Sequence, residues 1–234
     1  MKVRIKFSKE GPVRFIGHLD VMRFFQKAIR RAEIDIAYTG GYSPHQIMTF
    51  AAPLGVGLTS RGEYMDIEVN SITSCEDIKN RLNQASVPGI EIVSVNILPD
   101  NAGNAMASVA GADYEVRFRE GYELEEGWKK KLEEFLALPE IRIMKETKKG
   151  EQEVDIRPWV YDYHIKDQTI FLKVSAGSVH NLKPELLLKA FGDWAGVEIP
   201  AFALLICRKE MYADEGSETE RKLVALEELG EEIG

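Results

Sequence analysis

The sequence predicts an α+β fold in which two halves of the chain repeat one pattern of strands and helices. Val3–Phe7 and Tyr114–Phe118 each alternate apolar and charged residues, as half-buried strands do. Each is followed by apolar residues at helical spacing, then by a short strand, an insertion and a second strand–helix–strand pattern. This is the order of a ferredoxin-like (βαββαβ) fold, so we expect two tandem halves of that kind with antiparallel-rich sheets.

The first half is expected to cover residues 1–98. The apolar face of its first helix is predicted at Leu19, Met22, Phe25, Ile29 and Ala32. A short strand over Ile34–Tyr38 follows, and Tyr64–Val69 and Ile90–Leu98 supply the later strands. Ser74 before two acidic residues predicts a helix over about 75–85 between them.

The second half is expected to cover residues 113–212. Its first helix is predicted from Trp128, Leu132, Phe135 and Leu136, and its second begins at Pro184, which suits a first helical turn. The remaining strands are predicted at Ile141–Met144, Ile170–Val174 and Phe202–Cys207.

Four segments fall outside this repeat. Residues 99–112 are rich in Gly, Ala and Asn and are predicted to be a linker. The insertions are predicted at 40–62, which is loop-like, and at 146–168, which is expected to add a hairpin. Residues 213–234 are predicted to be an acidic polar tail, either solvated or a tether.

Composition restricts the class of protein. No stretch approaches the roughly 18 apolar residues of a membrane-spanning helix, and the N-terminus lacks the apolar block of a signal peptide, so we expect a cytoplasmic protein with no membrane partner. The net charge of −8 divides unevenly, because residues 1–62 hold ten Lys and Arg against four Asp and Glu. Positive charge is thus concentrated at the N-terminal end, where nucleic-acid phosphate is one expected ligand.

Two histidines in this basic region are the first candidates for chemistry. His18 lies where a strand-to-helix turn ends, and Asp20 follows in the first turn of the helix. His45 lies in a Gly- and Pro-containing segment that can hold its ring in a set direction. All three are catalytic candidates as general acid or base groups, while capping or packing roles remain open. The spacing gives no specific support for a metal site.

A second group of residues is a candidate ligand-binding set. An anion site built from Arg14, Arg61 and backbone amides is one interpretation, and a surface pair between Arg61 and Glu63 is the other. Tyr42 lies beside His45 and is included in this set.

The predicted first helix also carries a basic face, formed by Arg23, Lys27, Arg30 and Arg31. Such a face is usually only solvated, but phosphate contact is the alternative in an otherwise acidic chain. The nearby aromatic residues Phe15, Tyr38 and Tyr42 are expected mainly in the core, with base stacking as the alternative.

Several motifs are missing from the sequence. There is no P-loop, no Gly-x-Gly-x-x-Gly, no His-Glu-x-x-His and no C-x-x-x-C-x-x-C that could hold an iron–sulfur cluster. We therefore expect no cofactor and no metal in this chain. Whether it is an enzyme stays open.

Two stretches, GHLD at Gly17–Asp20 and GYSPHQIMTFAAPLG at Gly41–Gly55, resemble a radical-SAM-associated bacterial domain family of unknown function. The resemblance covers about residues 1–200 and implies association with a radical-SAM protein, such as a cobalamin-binding one, but assigns no role to these residues. The tandem order also resembles RNA-processing proteins of the CRISPR repeat-associated type, although their glycine-rich C-terminal loop has no clear equivalent here.

Together these features predict a binding or substrate-presenting component of a radical-SAM system that acts on RNA or a ribosome-linked substrate. One alternative is a stand-alone enzyme that uses His18 or His45 as general acid or base on a nucleic acid or phosphate-bearing substrate. The other alternative is a protein-interaction module.

Overall fold

The part of the chain that the computed structural model describes comprises residues 1–147, 150–217 and 220–232, with only the backbone of residues 145–147. Residues 148–149 of the second predicted insertion, and 218–219 and 233–234 of the predicted tail, lie outside the described residues.

The chain divides into two compact units. One consists of Met1–Gly111 with Arg208–Gly234, and the other of Ala112–Cys207. Both combine helices with antiparallel strand pairs, which confirms the predicted α+β class. The boundaries differ from the predicted ones, because the chain after residue 207 returns to the first unit.

Residues 1–111 of the first unit form strands, helices and one 3-10 turn. They are β1 (Lys2–Lys9), the turn Gly11–Phe15, α1 (His18–Arg31), β2 (Met48–Phe50), β3 (Thr59–Glu68), α2 (Cys75–Gln84), β4 (Ile92–Ile97) and α3 (Ala105–Ser108). The strands lie in the order β4–β1–β3, and β2 pairs with β3. Each of these pairs is antiparallel.

One face of β1 builds the apolar core of this unit. Val3, Ile5 and Phe7 are fully buried there, as alternate residues on one face of a strand should be. The Phe7 ring lies 4.7 Å from the ring of Phe25 in α1 and 6.2 Å from that of Phe50 in β2. Helix α2 joins the same cluster through residues such as Ile78 and Leu82.

Helix α1 buries Val21, Phe25, Ala28 and Ile29, whereas the predicted apolar face included Leu19. Leu19 is 60% exposed. At about 100° per residue, Leu19 points roughly 120° away from Phe25, so the later apolar residues set the buried face and leave Leu19 in solvent.

The strand predicted over Ile34–Tyr38 is reduced to single bridges. Ile36 bridges to Val69, and Tyr38 bridges to Gln46. Strand β2 pairs with β3 and occupies the edge on which a longer strand would have to form. Ile34 and Ile36 are nevertheless buried, so their side chains pack as the alternation predicts.

The second unit contains both helices predicted for its half. Its elements are β5 (Gly111–Phe118), α4 (Trp128–Leu136), β6 (Arg142–Thr147), β7 (Gly150–Asp155), β8 (Val160–Lys166), β9 (Thr169–Ser175), α5 (Pro184–Ala195) and β10 (Leu204–Asp214), the last of which ends in the first unit. All four apolar positions predicted for α4 are buried. Among the described residues, none of the helices is both long and apolar enough to cross a membrane.

The strand predicted at Ile141–Met144 lies in a different place from the one expected. It forms β6, which pairs with β7 in a separate hairpin. The sheet position beside β9 is taken by β8, in the order β10–β5–β9–β8. Strands β8 and β9 are joined by a two-residue turn in which Asp167 adopts a φ of 54°, so the hairpin closes over a very short loop.

The segment predicted to be an acidic polar tail packs onto the first unit instead. A final strand, β11 (Leu223–Ala225), pairs with the end of β10 and leads into a 3-10 turn over Leu226–Leu229. Leu226 is fully buried, and the Ile97 and Glu231 backbones exchange hydrogen bonds of 2.8 and 2.9 Å. One of its acidic side chains, Glu227, supplies a counter-charge to the sheet.

The second face of β1 carries two buried cations. Arg4 forms a buried bidentate pair with Asp66 and donates to the Leu226 carbonyl at 3.1 Å. Lys6 pairs with Glu210 and Glu227, both at 2.6 Å. Burial alone would lower the pKa of Lys6, but the two carboxylates outweigh it and raise that pKa above its usual value.

We predict that Glu227→Gln lowers the free energy of unfolding by about 1–3 kcal/mol at neutral pH, because Lys6 and Ser94 both donate to this carboxylate. Burial would raise the pKa of Glu227, but hydrogen bonds from Lys6 and Ser94 and the Lys6 charge hold it below its usual value. The contribution is therefore present above the unfolded-state pKa of about 4.3 and is lost as pH falls through the folded-state pKa.

Urea denaturation at pH 7 and at decreasing acidic pH measures both effects. The control is Glu228→Gln, whose exposed side chain should change stability by less than about 0.5 kcal/mol. Equal stability of the two variants at pH 7 would contradict a stabilising role of the Glu227 carboxylate.

Candidate functional site

A buried lysine fixes the backbone of the 3-10 turn that precedes α1. Lys9 is only 2% exposed, and its Nζ donates to the Ile16 carbonyl at 3.0 Å and to the Arg14 carbonyl at 3.4 Å. Burial lowers the pKa of Lys9, an effect that the Arg208 charge reinforces and the Glu63 charge opposes. The two carbonyl contacts tie the backbone of the turn to the end of β1.

The loop before β3 lies against the same turn. The Gly57 amide donates to the Arg14 carbonyl at 2.8 Å, and Gly57 has a φ of 90°, which favours glycine. Val56, next to it, is 60% exposed. The turn is thus held on two sides while apolar side chains around it face solvent.

His18 is the first residue of α1 and is half-buried. Its ring meets the Phe50 ring edge-on, with centroids 5.2 Å apart. Within the described part of the chain, no hydrogen bond to the His18 ring nitrogens is found. Asp20, two residues on, is exposed and pairs only loosely with Arg23 at 3.3 Å. The catalytic candidates at this helix start are therefore one packed ring and one solvated carboxylate.

His45 lies in an exposed loop and is held by its neighbours. Its Nδ1 is 3.1 Å from the Thr39 hydroxyl and 3.3 Å from the Ser43 carbonyl. Its own amide donates to the same hydroxyl at 3.1 Å. Tyr42, at the tip of the loop, is fully exposed. The His45 ring is therefore held in a set direction by contacts within its own loop.

The two histidines are held at different places along α1. Gln46, adjacent to His45, donates from its side chain to the Gln26 carbonyl at 3.3 Å. Gln26 lies eight residues beyond His18, which is about 12 Å along a helix axis. Nothing in these contacts brings the two imidazoles within reach of one small ligand.

The predicted anion set also separates. Glu63 is buried and forms a bidentate pair with Arg208, at 2.8 and 2.6 Å. Arg61 is exposed and donates to Glu10 at 2.8 Å. Consecutive strand residues point to opposite faces, so Arg61 and Glu63 could share a face, but a bulge in β3 intervenes and each takes another partner. Among the described residues, no ion pair joins Arg14 to Glu10 or to Glu63.

The basic face of α1 is present as predicted. Arg23, Lys27, Arg30 and Arg31 are all exposed. Arg31 donates to the Ala85 carbonyl at 2.7 Å, whereas no ion pair of Lys27 or Arg30 is found among the described residues. At about 100° per residue, Arg23, Lys27 and Arg30 fall within roughly 60° of one another.

The aromatic residues of this region differ from the expectation. Phe15, Tyr38 and Tyr42 were expected mainly in the core, but all three are exposed. The aromatic positions of the core are filled instead by Phe7, Phe25 and Phe50.

Sequence reasoning missed two of the buried charges, Lys9 and Arg208. A signal for them exists, because each continues the apolar alternation of its strand. Lys9 follows Val3, Ile5 and Phe7 in phase, and Arg208 follows Leu204 and Ile206 in phase. A charge at the core phase of a strand indicates a buried ion that needs partners.

The geometry offers no cluster of three or more His, Cys, Asp or Glu side chains able to hold a metal, within the residues that are described. Lone ligands such as His18 remain, but a protein metal site needs several converging groups.

A family model described as "Uncharacterized protein conserved in bacteria (DUF2344)" matches residues 2–184. The chain belongs to this family. Membership of DUF2344 confirms the predicted likeness to a bacterial domain of unknown function, and the radical-SAM association stays a prediction. No curated protein matches this DUF2344 chain.

Two solved structures are distantly similar to the DUF2344 chain. A chain of "Crystal Structure of a Cbf5-Nop10-Gar1 Complex" is 12% identical with a TM-score of 0.49, and the match covers 89% of this chain and 48% of that one. The DUF2344 chain therefore spans about half the length of that chain. "Crystal Structure of an Unknown Protein from Galdieria sulphuraria" is 13% identical with a TM-score of 0.27, covering 95% and 98%. Neither similarity indicates a shared function.

We predict that Glu63→Gln lowers the free energy of unfolding by about 3–5 kcal/mol, because it leaves the Arg208 charge buried without its partner. Arg61→Ala removes an exposed pair with Glu10 and should cost less than about 1 kcal/mol. Urea denaturation of both variants at neutral pH measures the difference. A stable Glu63→Gln protein that loses ligand binding would reassign Glu63 to the site.

Proposed function

We propose that this DUF2344 protein is a binding component of a radical-SAM system, which presents an RNA or a ribosome-linked substrate to its partner. The association with a radical-SAM protein rests on the resemblance of the GHLD and GYSPHQIMTFAAPLG stretches. The RNA-binding role rests on the basic face of α1, defined as Arg23, Lys27, Arg30 and Arg31.

The single observation that carries the RNA-binding role is the exposure of this basic face on one stripe of a helix. The guanidinium of Arg23 pairs only with the exposed Asp20, and both side chains are more than 60% in solvent. Exposed pairs of this kind contribute little, so Arg23 can exchange Asp20 for a phosphate at small cost. From Arg23 to Arg30 the stripe runs about 10 Å along the helix.

The charge of the chain supports the same conclusion. Residues 1–62 carry ten basic against four acidic residues, although the whole chain has a net charge of −8. An acidic protein is repelled by nucleic acid everywhere except at its basic region. Long-range electrostatics would therefore favour the approach of an RNA to the exposed cations of α1.

We also propose that both units are ferredoxin-like. The first has the strand order β4–β1–β3 with β2 on β3, and the second has β10–β5–β9–β8. Each order matches the 4-1-3-2 arrangement of a βαββαβ sheet, with β8 in the position expected for Ile141–Met144. This proposal concerns architecture alone, since one fold supports many functions.

A presenting role is favoured over acid–base catalysis by the placement of the histidines. His18 packs on Phe50, and His45 is held by Thr39 and Ser43. A general base and its partner must lie within hydrogen-bond reach of one reacting group, and these two rings are held separately.

We predict that a labelled, unpaired 20-nucleotide RNA binds with an affinity that falls steeply as salt rises. For single strands the slope of log K against log salt is about −0.7 for each phosphate contact. The double variant Arg23→Ala with Arg30→Ala should therefore make the slope shallower by about 1.4. Fluorescence anisotropy titrations between low and moderate salt measure it.

The matched control is Lys130→Ala with Lys131→Ala on α4, which removes the same charge from another exposed helix surface. It should leave the slope unchanged. An equal loss in both double variants would show attraction by net charge alone and would contradict a defined basic face.

A further inference from the structure

We propose that Phe15 and Arg14 form a stacking platform for an unpaired base, which makes the ligand of the basic face single-stranded RNA. This inference rests on the proposed RNA-binding function and narrows its substrate. The platform lies at the start of α1, and the basic face continues from it along the helix.

The first support is the exposure of the Phe15 ring. Phe15 is 60% exposed, and no contact of its ring with another aromatic ring is found among the described residues. An isolated exposed phenylalanine would be unremarkable in itself. Here it lies in a turn whose neighbours, Leu19 and Val56, are equally exposed, beside a basic helix face.

The second support is the arrangement of Arg14 over this ring. The Arg14 guanidinium carbon lies 4.6 Å from the Phe15 ring centroid, which is a cation–π contact. The Arg14 Nε is buried without a hydrogen-bond acceptor in the described structure, and no acidic side chain pairs with the guanidinium there. The charge beside the ring is thus not neutralised, and bases stack on both aromatic and guanidinium planes.

The third support is the rigidity of the turn. The buried Lys9 ammonium holds the carbonyls of Arg14 and Ile16, and the Gly57 amide holds the Arg14 carbonyl from the other side. The Ile16 amide donates back to the Val13 carbonyl at 3.2 Å. A platform fixed before binding loses less conformational entropy when a base stacks on it.

The fourth support is continuity with the basic face. Leu19 lies one turn before Arg23, and at about 100° per residue it projects within roughly 40° of it. Leu19, Arg23 and Arg30 therefore follow one line along α1, and Phe15 lies in the turn just before this helix. A strand whose base stacks on Phe15 can extend its phosphates toward Arg23, which a paired base inside a duplex cannot do.

The experiment measures RNA affinity of Phe15→Ala with the 20-nucleotide RNA, unpaired and as a duplex with its complement. Loss of one stacked base should weaken binding of the unpaired strand by about 5- to 150-fold. The salt slope should stay at the wild-type value, because no phosphate contact is lost. Duplex affinity should not change, and Phe15→Trp should restore binding of the unpaired strand.

The matched control is Phe202→Ala in the second unit, which removes a phenylalanine that is 62% exposed. It should bind the unpaired strand like the wild type. Thermal unfolding of Phe15→Ala should match the wild type, because an exposed ring contributes little to stability.

Two outcomes would overturn the platform and leave the proposed RNA-binding function standing. One is wild-type affinity of Phe15→Ala for the unpaired strand, together with the shallower slope of the Arg23 and Arg30 variant. The other is a loss of duplex affinity in Phe15→Ala that equals its loss of affinity for the unpaired strand. If the surface around Phe15 binds a protein partner instead of an RNA base, the first of these results is expected. If the wild-type protein does not bind the unpaired RNA, the proposed function fails and the platform with it.

Discussion

Strand β1 is buried on both of its faces, and the arrangement of the first unit follows from the need to satisfy each. One face presents Val3, Ile5 and Phe7, which the apolar faces of α1 and α2 cover. The other presents Arg4 and Lys6, which are costly to bury unless carboxylates meet them. Neighbouring strands and the C-terminal segment supply those carboxylates, so chain ends that are distant in sequence must come together.

The same requirement organises the surface beside α1. Lys9 continues the core phase of β1, so its ammonium is buried and must find acceptors nearby. It finds them in the carbonyls of the turn, and this fixes the turn from which Phe15 projects. The buried Lys9 charge thereby fixes the backbone that carries the exposed Phe15 ring. Loops that carry function are commonly positioned in this way by a rigid scaffold.

Local patterns were sufficient to predict much of this protein. The α2 N-cap is confirmed, since the Ser74 hydroxyl accepts from the Asp77 amide at 3.0 Å, and the α4 apolar face is confirmed. Long-range choices were not predictable, because periodicity does not say which charge meets which. Glu63 and Arg208 are 145 residues apart, and Lys6 and Glu227 are 221 apart. The exposure of the Phe15 ring likewise depends on which phenylalanines fill the core.

The C-terminal segment that covers Lys6 has a consequence for synthesis on the ribosome. The apolar partners of β1 all lie within the first 98 residues, so its helix-covered face can collapse early. Its charged face is satisfied only in part at that stage. Asp66 is available to Arg4, but Glu210 and Glu227, the partners of Lys6, are made after the whole second unit. During elongation the growing protein therefore holds a half-finished sheet in which Lys6 still lacks its carboxylate partners. The first unit is complete only once residues 226 and 227 have left the exit tunnel.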